Sequence, residues 1–331
     1  MEASIIATYR CRHRCTMCGT WKFPSAPESE FKPELLEKLP RLRFANLTGG
    51  EPFLRDDLEE IAAILKRKAR RVVVSTNGTF TERVLELAKK VPGLGFRVSL
   101  EGLRETNDEL RGVPGGFDRG LATLDGLRRM GVGDIGFGMT VSDRNAGELG
   151  ELYALARSRG FEFATAIVHN SFYFHKTDNV IRDPERVAGA FERLAADMLR
   201  TWTVKNWYRA YFNLGLAGYA RGRARPLPCG AGTDVFFLDP SGEVLPCNGM
   251  EESIWYGSLG NLHERPFGEI WTSEAARRVR AKVAACPKNC WMIGTAGPAM
   301  RAGLVPVTGA ILVKKLKMIA RAGGGRRGRR R

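Results

Sequence analysis

The chain has 331 residues, 44% of them hydrophobic, with seven cysteines and a formal net charge of +16. That length supports one large domain plus a smaller one, and the composition is ordinary for a soluble globular protein. No run reaches the roughly 18 apolar residues of a membrane span, and the opening ASIIATY lacks the apolar stretch and small-residue cleavage site of a signal peptide. The expectation is a cytoplasmic chain, whose clustered thiols hold metals or do chemistry rather than pair as disulfides.

In chain order, ASIIATY reads as a first strand, and CRHRCTMC follows with Cys11, Cys15 and Cys18 inside eight positions. From about residue 44 a strand, a polar or glycine turn and an amphipathic helix repeat. FANLTGGEP precedes DDLEEIAAILKRKAR, RVVVSTNGTF precedes TERVLELAKKV, and GFRVSLEG precedes GFDRGLATLDGLRRMG. DIGFGMTVSDRN and FEFATAIVHNS add two strands around ELGELYALARSRG, for six in all. Such alternation predicts βα units around a parallel sheet, with ligand loops at the C-terminal strand ends. Residues 172–226 read as two helices, the second rich in Trp207, Tyr208, Tyr211 and Phe212, which suit packing between modules. PCGAGTDVFFLDPSGEVLPCNG reads as a β-hairpin turning at DPSG and flanked by Cys229 and Cys247. A helical stretch, PFGEIWTSEAARRVRAKVAA, then delivers Cys286 and Cys290.

The cysteines therefore fall into a three and a four. Four thiolates close a zinc or iron–sulfur site, whereas three leave a coordination position open, which is where chemistry happens. His13 lies inside the first loop and reads as a loop residue, with completion of a zinc site as the alternative. His169 and His175 border the connector and read as ordinary hydrogen-bonded or surface histidines, with proton transfer as the alternative.

The C-x3-C-x2-C spacing of CRHRCTMC after strand one, together with Gly49-Gly50-Glu51-Pro52 after strand two, resembles the radical S-adenosylmethionine (radical SAM) enzymes over residues 3–171. The second cysteine group, over 227–291, resembles their SPASM/twitch extension in its shorter form. The fold class so implied is α/β: a partial (β/α)6 TIM-like barrel with a small C-terminal α+β auxiliary-cluster module. The expected organisation is a barrel over 1–180, a helical connector over 181–226, the auxiliary module over 227–294 and a basic tail over 295–331. The resemblance implies that Cys11, Cys15 and Cys18 hold a [4Fe-4S] cluster whose fourth iron binds S-adenosylmethionine. Reductive cleavage then yields a 5'-deoxyadenosyl radical that abstracts hydrogen. Cys229, Cys247, Cys286 and Cys290 would hold one auxiliary [4Fe-4S] cluster. Met17 stands where many members carry an aromatic residue, and is still able to pack over adenine.

Cofactor contacts are expected at the strand ends. Gly49 and Gly50 admit close approach of the methionine moiety, and Glu51 accepts from its ammonium. Ser75 and Asn77 point from the third strand, and Ser99 and Glu101 share a face at the end of the fourth, within reach of ribose or substrate. Thr140 is a further contact, while Arg111 reads as a structural loop cation. No catalytic residue beyond these is identified.

Three plus four uses every thiol, so a cysteine hydrogen donor is disfavoured and the auxiliary cluster suits an electron acceptor. That favours dehydrogenation or oxidative bond formation, fed by an external flavodoxin- or ferredoxin-type donor. The expected substrate is a small molecule or glycan, since only ten residues precede Cys11 and no leader-recognition domain is visible. The alternatives are a peptide maturase, an epimerase using a donor such as Tyr9, and a zinc-stabilised nucleic-acid-binding protein suggested by the positive charge, nucleic acid being the least favoured partner. The last 34 residues hold ten Lys or Arg and no acid. On a helical wheel Leu312, Val313, Leu316, Ile319 and Ala320 share an apolar arc, with Lys314, Lys315, Lys317 and Arg321 opposite. The expectation is peripheral contact with an anionic membrane surface at its inner face.

Overall fold

The computed structural model describes residues 1–250, 257–304 and 306–315. Six strands, β1 (Glu2–Ile6), β2 (Leu42–Thr48), β3 (Ala69–Thr76), β4 (Gly95–Ser99), β5 (Ile135–Val141) and β6 (Glu162–Ile167), pair in parallel and in sequence order. Their cores are apolar on successive residues, as in Val72-Val73-Val74, because a parallel sheet is covered on both faces. The register Ile6↔Thr48 brings the exits of β1 and β2 to one edge, so the cysteine loop and the GGEP turn are neighbours from the start.

Helices α1 (Leu58–Lys68), α2 (Thr81–Lys90), α3 (Arg104–Arg111), α4 (Gly116–Arg129) and α5 (Leu149–Ser158) connect these strands. The sequence pattern anticipates all but α3, whose RETNDELR contains a single leucine and no apolar stripe. It ends on Gly112 at φ +64°, a left-handed cap that glycine supplies without strain.

The hairpin strands β7 (Val235–Leu238) and β8 (Glu243–Leu245) turn at Asp239–Gly242, as expected. Their sheet is not separate. β7 pairs in parallel with β1, Glu2 opposite Val235, so the order runs β6-β5-β4-β3-β2-β1-β7-β8-β9, with β9 at Gly260–Asn261. The module is thus built onto the barrel's own first strand.

The connector forms α6 (Pro184–Arg200), capped by Asp183 accepting from the Arg186 N–H, and α7 (Val204–Ala220). The helical stretch after the hairpin breaks at Ser273 into α8 (Phe267–Thr272) and α9 (Glu274–Ala284), and α10 (Ile293–Ala302) follows. The aromatics of α7 pack between modules. Trp291, fully buried, donates from Nε1 to Phe212 O at 3.0 Å and stacks on the Phe212 ring. Gly215 leaves the notch it fills, since a Cβ there would lie 2.1 Å from Trp291 Nε1.

A final helix, α11, spans Pro306–Lys315, and here the helical-wheel expectation fails in part. Val307, Ile311 and Lys315 form its buried face, whereas Leu312 and Val313 are 47% and 51% exposed. Lys315 Nζ donates to Leu199 O and Thr201 O, each at 3.0 Å, and lies 4.2 and 4.1 Å from the Trp202 and Trp207 rings. An ammonium at the C-terminal end of α6, flanked by two indoles, is better placed than one in water. Leu316, Lys317, Ile319, Ala320 and Arg321 lie outside the described residues.

One buried ionic network steadies the chain just ahead of the cysteines. Arg55, 4% exposed, donates to Ala7 O (2.8 Å), Phe31 O (2.7 Å) and both oxygens of Asp57. Its neighbour Glu30 accepts from Arg10 Nη2 at 2.8 Å, from Ser25 Oγ at 2.6 Å and from Thr8 Oγ1. Replacing Arg55 with Met leaves two buried carbonyls unpaired and weakens the charge balance of Glu30. The expected cost is about 3 kcal/mol, read as a lower thermal midpoint in anaerobic unfolding scans, and an unchanged midpoint would contradict this role.

Candidate active site

The loop after β1 is held from below by α3. Arg14 N–H donates to Arg111 O at 3.2 Å and Thr16 N–H to Leu110 O at 2.8 Å. Inside the loop, His13 is 2% exposed; its Nε2 meets Thr79 Oγ1 at 2.7 Å and its Nδ1 accepts from Arg111 Nε at 3.3 Å. Burial and the Arg111 charge hold the ring neutral, with its pKa lowered to about 3. Both nitrogens are therefore engaged by protein groups, which makes His13 a strut rather than a metal ligand.

Arg111 is the hub beneath the thiols. It is 6% exposed, donates from Nη1 to Glu101 Oε1 at 3.0 Å, and its carbonyl lies 3.9 Å from Cys15 Sγ. Burial works against its charge, but Cys15, Glu101 and Cys11 reinforce it. The loop cation expected from sequence is thus a buried residue at a helix end.

Burial pushes the Cys11 thiol up to about 12 and the Cys15 thiol to about 11. In the second group, burial pushes Cys247 up to about 12, with Cys290, Cys229 and Cys286 all close enough to add to it. Buried thiols this weakly acidic ionise against a cationic partner, as iron provides. Among the described residues, no three His, Cys, Asp or Glu side chains converge as ligands of one metal ion do. In a four-iron cube each thiolate binds a different iron, so the sulfurs stand further apart.

The strand ends meet some expectations and alter others. Gly49 and Gly50 do permit a close approach, but to the chain itself: a Cβ would lie 2.5 Å from Thr8 O at one and 2.3 Å from Arg10 O at the other. Gly50 and Glu51 donate their N–H groups to those carbonyls at 2.7 and 2.8 Å. Glu51 is fully buried. Its carboxylate accepts from Phe53 N (3.1 Å), Thr76 Oγ1 (2.8 Å) and Asn77 N (2.7 Å), so it braces two strand ends instead of facing an ammonium. Glu101 is likewise turned inward, accepting from Arg111 and from Thr140 N at 2.6 Å, which removes it from ribose and substrate and makes Thr140 its backbone partner. Ser75 donates to Asn46 Oδ1 at 2.8 Å, and Ser99 lies half-buried at the end of β4. Asn77 fits a polar ligand best. Its Oδ1 accepts from Thr79 N, while its Nδ2 is buried with no hydrogen-bond partner.

A strap over residues 169–176 crosses the mouth. Tyr173 donates its hydroxyl to Gly49 O at 2.9 Å, Gly19 N–H donates to Phe174 O at 2.6 Å, and Phe172 N–H to Met250 O at 2.6 Å. His175 sits at φ +46°, its ring stacked on Phe23 at 4.7 Å and edge-on to Tyr9 at 5.6 Å. His169 Nδ1 donates to Ile167 O, 3.1 Å away. Behind the strap, Ile6, Tyr9, Tyr173, Phe237, Cys247 and Met250 share one small, mostly apolar cavity. Burial raises the pKa of the Tyr9 hydroxyl, with Asp239 and Tyr173 adding to it, so it keeps its proton. Around the second group, Arg225 donates to Cys290 O at 2.6 Å and lies 5.0 Å over the Trp291 ring, and Lys288 donates to Gly249 O at 2.9 Å. Sequence reading missed Tyr173 and Arg225. The only available signal was a tyrosine and an arginine near the motifs.

Comparison with known proteins gives a match of residues 5–156 to the radical SAM superfamily and of residues 229–292 to an iron–sulfur cluster-binding domain, SPASM. Fe-coproporphyrin III synthase of Methanosarcina barkeri is 28% identical over 305 residues, spanning 80% of this chain and 72% of the relative. An AdoMet-dependent heme synthase of the same organism is 30% identical, spanning 71% and 70%. Mycofactocin maturase of Mycolicibacterium smegmatis is 26% identical, spanning 82% and 70%. Among solved structures, native anSMEcpe with bound AdoMet superposes with a TM-score of 0.65 at 13% identity, covering 94% of this chain and 99% of that one. Streptococcus suis SuiB bound to precursor peptide SuiA gives 0.59 at 15%, covering 82% and 64%.

Glu51 offers a direct test of the bracing role. Gln would place an amide donor against one of the three donors, and the expected loss is about 1–3 kcal/mol, with weaker S-adenosylmethionine binding in equilibrium dialysis. Burial pushes the Glu51 carboxyl up from 4.5 to about 7 despite its donors. Over that range the folded chain holds a proton that the unfolded chain releases, so its contribution falls as pH rises. Wild-type stability relative to Glu51→Gln should therefore fall from pH 5 to 7, and a rise would show the opposite shift.

Proposed function

The chain belongs to the radical SAM superfamily and carries a SPASM iron–sulfur domain, and from that premise we propose an oxidoreductase that oxidises a small-molecule substrate radical, with the auxiliary cluster accepting the electron. Its cofactors are a [4Fe-4S] cluster, S-adenosylmethionine and auxiliary iron–sulfur. When bound, the first cluster and S-adenosylmethionine supply a 5'-deoxyadenosyl radical. Cys11, Cys15 and Cys18 would hold the first cluster, and Cys229, Cys247, Cys286 and Cys290 the auxiliary one.

The observation that carries this reading is the shared cavity. Tyr9, two residues before Cys11, and Cys247 line the same small space, which brings the segments carrying the two cysteine sets side by side. Four thiolates leave no iron of the auxiliary cluster open to substrate, which suits it to accepting an electron. An external donor of flavodoxin or ferredoxin type would reduce the first cluster.

For the substrate, a small molecule is favoured over a glycan by the relatives whose names specify coproporphyrin and heme. An iron porphyrin is the first probe. Peptide modification is the second reading, favoured by the mycofactocin maturase relative and by the SuiB structure that holds a precursor peptide.

Anaerobic reconstitution should give about eight irons per chain. Alanine at Cys11, Cys15 and Cys18 should leave about four and abolish 5'-deoxyadenosine formation. Cys247→Ala should retain cleavage yet yield no oxidised product, and full turnover in that variant would remove the electron-acceptor role. Offered side by side, an iron porphyrin should raise 5'-deoxyadenosine formation where a precursor peptide does not. The reverse result would make the peptide reading correct.

A further inference from the structure

The face that α11 turns outward is apolar. Val307 and Ile311 are buried and Lys315 fastens the helix to the end of α6 and to Trp207 of α7, while Leu312 and Val313 are about half exposed, Leu304 is 52% exposed and Ala310 is also exposed. Trp202, whose ring lies 4.2 Å from Lys315 Nζ, is 81% exposed beside this helix. Among the described residues Lys314 is the one cation exposed on α11, and no acid occurs on it. The sequence beyond Lys315 adds Lys317, Arg321, Arg326, Arg327, Arg329, Arg330 and Arg331, again with no acid.

We infer that α11 and Trp202 form a docking surface for an anionic lipid bilayer, on which the enzyme sits peripherally. Three observations point to lipid over other polyanions. Exposed Leu, Val and Trp side chains have no use for a phosphate backbone, but gain by entering an acyl boundary. A tryptophan with a wet rim and an apolar face suits the headgroup level. An acid-free run of lysine and arginine complements the negative leaflet and is too dense in charge to cover an apolar face by itself. Among the described residues no single helix is long and apolar enough to cross a membrane, and α11 is bent 95° from α10. At ten residues it is about 15 Å long, which fits lying in the interface plane. The Lys315 contact fixes which face points outward, so the surface is built into the fold and not into the tail alone.

The test uses the full, cluster-loaded chain with phosphatidylcholine vesicles prepared with and without phosphatidylglycerol. Co-sedimentation should rise about ten-fold with the anionic lipid and weaken with salt. Leu312→Asp with Val313→Asp should lower it about ten-fold or more, while iron content and 5'-deoxyadenosine formation stay at wild-type levels. Trp202 emission should shift to the blue on binding, by comparison with Trp202→Phe. Equal pelleting with both vesicle types, or undiminished pelleting of the double-aspartate variant, would overturn the inference. So would self-association of the wild type that the variant abolishes, or binding to single-stranded RNA in place of vesicles. Because no readout depends on which substrate is turned over, its failure would leave the oxidoreductase reading intact.

Discussion

Arg111 lies at the end of α3 with Glu101 on one side, the His13 ring on another and the Cys11 and Cys15 thiols within range of its charge. A buried guanidinium is stable only where its charge and its donors are answered, and the answering groups come from two segments, the cysteine loop and the end of β4. Glu101 comes from the end of β4 and passes the constraint to β5 through Thr140; His13 passes it to the β3 exit through Thr79. The cysteine loop is therefore positioned by the ends of three strands at once, although it is attached to only one.

The GGEP turn follows from the same economy of space. Its glycines are required because the backbone of residues 8–10 occupies the volume their side chains would take, and Glu51 is then directed inward between β2 and β3. Beside the turn, Asn77 keeps an orphaned amide, and the aromatic strap is tied to the turn where Tyr173 donates to Gly49 O. Cys247 lines the cavity behind the strap, in a module whose strand β7 extends the sheet beside β1, and Trp291 in its Gly215 notch docks the segment after Cys290 onto α7.

Features written in local spacing were legible in the sequence: the C-x3-C-x2-C loop, the GGEP turn, the alternation of β and α, and the DPSG hairpin. Features decided by distant partners were not. Alternation correctly put Ser99 and Glu101 at one strand end, but only Arg111 and Thr140 determine that Glu101 turns inward. Glu51 was misread for the same reason, its donors Thr76 and Asn77 lying on another strand. A helical wheel counts every lysine as solvent-seeking; Lys315 instead finds two carbonyls and two indoles more than a hundred residues away in sequence. The α3 helix escaped notice because capping and a buried arginine, rather than an apolar stripe, hold it in place.

The pairing of β1 with β7 also orders how the chain is assembled. Glu2–Ile6 gains its second neighbour only when Val235–Leu238 is available, more than two hundred residues later. Until then a growing chain presents the open edge of a parallel strand, with amide and carbonyl groups ready to pair with another molecule. Closing so distant a contact is slow, and slow closure prolongs that exposure. A chain shortened before the hairpin would keep the edge permanently bare. Its expected fate is aggregation rather than an isolated barrel lacking only its C-terminal module.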